Sequence, residues 1–98
     1  MTGQHARSLE AILQDRLRLA QDIAAANREH LRLVQIARGL EVLALKEDRD
    51  GEATAALGAE QETSHRALDD SLETLNRLDA MLAGLDDELA RAMKGQIR

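Results

Sequence analysis

The sequence predicts an all-α fold, an antiparallel two-helix coiled-coil hairpin that dimerises into a four-helix bundle. Three observations carry that prediction. From Leu57 onward, positions 57, 61, 64, 68, 71, 75, 78, 82, 85, 89 and 92 step by alternating four and three residues, and seven of the eleven are leucine. A run of the same spacing passes through Leu9, Ile12, Arg16, Leu19, Ile23, Ala26, His30, Leu33, Ala37, Leu40 and Ala44. Spacing near 3.5 keeps one stripe of a helix against a partner helix. Between the two runs stands Asp50-Gly51, the best turn signal in the chain, because both residue types tolerate left-handed backbone.

The elements follow in order. Residues 1–7 are expected to fray. Ser8 is a candidate N-cap, and Glu10 places a negative charge in the first turn, near the positive end of the helix. The first helix is expected over 8–47, ending on the basic Lys46 and its neighbour. A turn is expected over 48–53 and a second helix over 54–95, capped by Asp50 or Thr54. Gly58 leaves the stretch 52–59 open between helix and loop. Gly39 and Gly84 fall inside helical pattern, each costing about 1 kcal/mol against alanine. They are either surface glycines or points where a neighbouring helix comes close.

If the chain reverses near residue 51, the two helices run past each other with Leu19 beside Leu82 or Ala83, Ile23 beside Leu78 or Asp79, and Ala26 beside Leu75 or Asn76. The same alignment sets Arg16 opposite Asp86, His30 opposite Ser71, and Arg32 opposite Asp70. Arg16, His30, Ser71 and Asp86 are therefore expected to set the register, since a polar residue in an apolar seam selects one alignment at some cost in stability.

Composition narrows the options. The chain has 98 residues with no Phe, Trp, Tyr, Pro or Cys. That length allows one domain. A core without aromatic rings must be built from Leu, Ile, Val, Ala and Met, which suits thin helix-to-helix seams. Lack of proline leaves long helices unbroken, and lack of cysteine excludes disulfides and thiolate metal sites. No apolar run approaches the ~20 residues of a membrane span, and no signal peptide is visible at the start. A cytoplasmic, bacterial-style protein is the expectation. The net charge of −5 gathers in the second half, where residues 53–98 carry five basic and nine acidic groups. An acidic surface without rings for base stacking argues against nucleic-acid binding.

The two helices differ in how much apolar surface they carry. Helix two shows a narrow leucine stripe. Helix one adds Leu13, Leu17, Ala20, Ala24, Leu31 and Val34 beside its seam, and nine of the thirteen residues from Leu33 to Leu45 are apolar. A helix apolar on most sides is a buried helix, and one narrow stripe cannot cover it. Self-association into a dimer is the first expectation; a different protein client docking at residues 33–45 is the other. The residues expected to form the interface are Leu33, Val34, Ile36, Leu40, Leu43 and Leu45 on helix one, with Leu75, Leu78, Leu82, Leu85 and Leu89 on helix two.

Few residues suggest chemistry. Glu62-Thr63-Ser64-His65 matches the Glu-x-x-His spacing of di-iron helical bundles, with Glu29 as the nearest further donor, but both residues lie off the leucine stripe. Asp69-Asp70 and Asp86-Asp87-Glu88 read as solvated faces, since paired carboxylates hold a useful metal only in a shaped pocket. No nucleophile with an adjacent base, phosphate loop or zinc spacing is visible. No enzyme, cofactor or metal centre is expected. The expected function is that of a non-enzymatic interaction module, such as an adaptor, scaffold or assembly factor. The alternatives are a secretion or flagellar-export type chaperone that shields an apolar client segment and, more remotely, a ferritin-like metal-binding hairpin.

Overall fold

A computed structural model describes residues 7–50 and 54–97. It is all-α, an antiparallel hairpin of α1 (Leu9–Asp50) and α2 (Ala55–Ile97). Contacts gather into two compact units, one joining Met1–Ala24 to Asn76–Arg98, the other comprising Ala25–Leu75.

Each helix begins at a side-chain cap. The Ser8 hydroxyl accepts from the backbone N–H of Ala11 at 3.1 Å, and the Ser8 carbonyl takes the first helical bond from Ile12 at 3.1 Å. Thr54 plays the same part for α2, its Oγ1 accepting from the Leu57 N–H at 3.1 Å. A cap of this kind satisfies one of the donors that every helix start leaves unpaired. Thr54 is thus engaged in the capping role expected of it. The stretch 55–59 is helical, and Gly58 donates its N–H to the Thr54 carbonyl at 3.2 Å.

α1 continues through Asp48, Arg49 and Asp50, residues expected in the turn. Nothing before Gly51 breaks a helix, and Arg49 puts a cation in the last turn, where it meets the negative end of the dipole. The remainder of the expected turn, residues 51–53, lies outside the described residues, as do residues 1–6 of the segment expected to fray. A Cβ built on Gly39 or Gly84 would meet no atom within 4 Å, so neither glycine marks a close approach within the chain.

The apolar spacing reappears as shielding. Along α2, every position of the four-and-three series from Leu57 to Ala92 is half-buried or buried, including the polar Gln61, Ser64 and Ser71. Along α1 the same holds for the whole series except Arg16, which is exposed. Full burial is scarce. Ile12 at 1% and Leu19 at 4% exposure are the buried aliphatic side chains among the described residues, and both belong to the unit containing the chain ends. In the unit Ala25–Leu75 the seam residues Leu33, Ala37, Leu40, Leu68 and Leu75 are only half-buried.

Candidate interaction surface

In the unit Ala25–Leu75, the seam sets α1 side chains of one size against α2 side chains of another. Leu33, Ile36 and Leu40 of α1 face Ala59, Thr63, Ser64 and Ala67 of α2 across an open groove of about 410 Å³. The α2 residues are too small to fill the space that the aliphatic row leaves. Ser64 sits beneath it, 7% exposed, and its hydroxyl oxygen is buried with no hydrogen-bond partner.

The expected interface residues divide into two groups. Leu33, Val34 and Leu40 are half-buried, and so are Leu75, Leu78, Leu82, Leu85 and Leu89 of α2. Ile36, Leu43 and Leu45 are exposed, at 42%, 50% and 71%, together with Val42 at 65%. The imbalance between the helices is large. Of the ten exposed large apolar side chains among the described residues, α1 carries Leu13, Leu17 and Leu31 besides these four; α2 carries Leu72, Met81 and Met93.

Among the described residues, polar side chains of the two helices bond across the seam at two places. His30 Nδ1 and the Ser71 hydroxyl share a part-buried hydrogen bond of 3.0 Å. In the other unit, Arg16 Nε donates to Asp86 Oδ1 at 2.7 Å. The expected Arg32–Asp70 pair does not form. Arg32 instead forks onto Glu29 of its own helix, with Nε donating at 3.0 Å, because a partner one turn away costs less side-chain freedom than one across a seam. That bond holds the Glu29 carboxyl below its ordinary value and raises the Arg32 guanidinium.

Arg7 lies in the segment expected to fray. Its Nε and Nη2 donate to the two carboxylate oxygens of Glu88 at 2.8 Å each, and its Nη1 also binds Asp15. The signal for it is weak in sequence: Arg7 precedes the helix, so no helical register aligns it with Glu88. The fork lowers the Glu88 carboxyl, opposed by its partial loss of solvent. A carboxyl lowered in the folded chain adds stability above its ordinary value of 4.5, and that contribution is lost as pH falls through the lowered value. NMR titration of the Glu88 side-chain carbon should accordingly give a midpoint below 4.5, which Arg7→Ala returns toward the ordinary value. A midpoint unmoved by Arg7→Ala would show that the fork is not populated.

Chemistry-bearing residues do not converge. Glu62 and His65 are both exposed, and Glu29, the further donor, is engaged by Arg32. Among the described residues no group of three His, Asp or Glu side chains could hold a metal ion. Asp86 and Glu88 each face an arginine. No helix among the described residues is long and apolar enough to cross a membrane.

Comparison with known proteins gives no match, whether to a family model, a characterised protein or a solved structure.

Proposed function

We propose that the chain is a non-enzymatic protein–protein interaction module, an adaptor, scaffold or assembly factor, that works through helix packing and self-association. The observation supporting this reading is the exposure of Ile36, Val42, Leu43 and Leu45 on one stretch of α1. Burying an aliphatic side chain of this size contributes ~1.5–3 kcal/mol. Four left wet forgo a large part of a small domain's stability, so a surface that covers them is strongly favoured. A second copy brings the same surface at the same concentration.

Light scattering on the purified chain tests this directly. The wild type should have the mass of a dimer, dissociating on dilution. Leu45→Glu should shift the chain toward monomer while leaving its helical signal intact, because a side chain 71% exposed has little to lose within its own chain. A wild type that stays monomeric at all concentrations would overturn self-association. That outcome would favour the client-shielding reading, for which the groove between Ile36 and Ala67 is the supporting feature.

A further inference from the structure

α1 carries a second apolar stripe with its own heptad spacing. Leu31, Val34, Arg38, Glu41 and Leu45 step by three, four, three and four residues. At 100° per residue they fall within a sector of roughly 80°, centred about 100° around the helix from the seam residues Leu33, Ala37, Leu40 and Ala44. Whereas the first stripe faces α2, the second is exposed at every position but Val34, which is half-buried. Leu31 is 60% and Leu45 71% exposed, and Arg38 and Glu41 are exposed too. Two stripes about a right angle apart are what a helix carries when it touches two neighbours, as each helix of a four-helix bundle does.

The charges within the stripe select the neighbour. Arg38 and Glu41 stand one turn apart, of opposite sign, and neither belongs to an ion pair among the described residues. We infer that the second stripe is the contact between two copies of α1, packed antiparallel about a two-fold axis near Gly39 and Leu40. This rests on the self-association proposed above and assigns a face and register to the part of it that Leu45 and Val42 carry; Ile36 and Leu43, on the other side of the helix, lie outside this contact. With Arg38 set against Glu41 of a second copy, the symmetry forms that pair twice. It also sets Leu45 against Val34 of the second copy, twice, while Val42, 65% exposed, flanks the contact on each copy.

Neighbouring registers are worse. Moved one heptad toward the N-terminus, Arg38 meets Val34 and Glu41 meets Leu31, leaving charges against aliphatic side chains. Moved one heptad the other way, Arg38 meets Asp48 but Leu45 meets Glu41. A two-fold contact must be self-complementary; between residues 34 and 45 the register pairing Arg38 with Glu41 matches charge with charge and aliphatic with aliphatic, while at its two ends Leu31 meets Asp48.

The test exploits the reciprocity. Arg38→Glu alone sets a carboxylate against Glu41 of the second copy at two places. Glu41→Arg alone sets two guanidinium groups together in the same way. Each variant should weaken dimerisation roughly ten-fold with unchanged helicity. An equimolar mixture of the two variants should recover a dimer containing one of each, read by native mass spectrometry, because every facing pair is then of opposite sign. A pair formed within one helix cannot be rescued by mixing. Arg38→Gln and Glu41→Gln provide milder versions should either reversal impair folding; each should weaken the dimer less, and mixing the two should recover it in part, because the mixed dimer regains one of the two Arg38–Glu41 pairs. If the wild type dimerises but neither reversal weakens it and the mixture shows no preference, another face makes the contact; this inference then falls while self-association stands. A wild type that is monomeric throughout overturns both.

Discussion

Ile12→Ala should destabilise the folded chain by about 3 kcal/mol, the largest loss expected of any single truncation in this protein. Ile12 is 1% exposed, so alanine removes methylene groups that are wholly out of water and leaves a cavity that two helices can only partly close. Alanine's better helix propensity returns a few tenths of a kcal/mol, well short of the loss. Leu17→Ala is the control, because Leu17 is 62% exposed on the same helix; its cost should stay below about 1 kcal/mol in the monomer. Urea denaturation measures both. Protein concentration must be held fixed, since anything that binds only the folded state raises its apparent stability. A cost for Ile12→Ala no greater than for Leu17→Ala would mean that the tightest packing does not lie near the chain ends.

Ser64→Ala should have the opposite sign, stabilising the chain by roughly 1–2 kcal/mol. A serine deep in a helix usually bonds back to the carbonyl four residues earlier. Its neighbour Thr63 does so, donating to the Ala59 carbonyl at 3.0 Å. The Ser64 hydroxyl, 7% exposed as a residue and lacking a partner, has lost its water without replacing it. Alanine removes that penalty and favours the helix. Thr63→Ala, by contrast, removes an exposed and satisfied hydroxyl and should change stability little. Should Ser64→Ala destabilise in the same urea experiment, the hydroxyl is bonded and the groove is tighter than its lining residues indicate.

Much of the hairpin was legible in the residue spacing, and Ser64 shows why. Serine has no preference for a core, yet its place in the four-and-three series marked it for the seam, and it is buried. Spacing encodes which side of a helix is covered regardless of the side chain at any one position. Reversal near Gly51 then brought His30 to Ser71 and Arg16 to Asp86, because in an antiparallel pair the turn determines every level above it. Long flexible side chains escape this logic. Arg32 reached Glu29 rather than Asp70, and Arg7, before the first helical turn, reached Glu88. Both follow from rotamers, which a one-dimensional pattern does not carry. The end of α1 differed by three residues, since Asp48, Arg49 and Asp50 suit a turn by type but have no force to break a helix already running. At Leu45 the spacing encodes that the face wants cover and not what covers it.

Ile12 and Leu19 are the buried aliphatics of the described chain, and an interior so thin makes abundance a property of the fold. Under the self-association proposed above, a newly made copy, alone and dilute, would hold little in reserve against opening and would be readily cut by proteases. Copies that pair would be spared. The level of such a protein would therefore respond to its own supply more steeply than in proportion, with scarce chains cleared and plentiful ones kept.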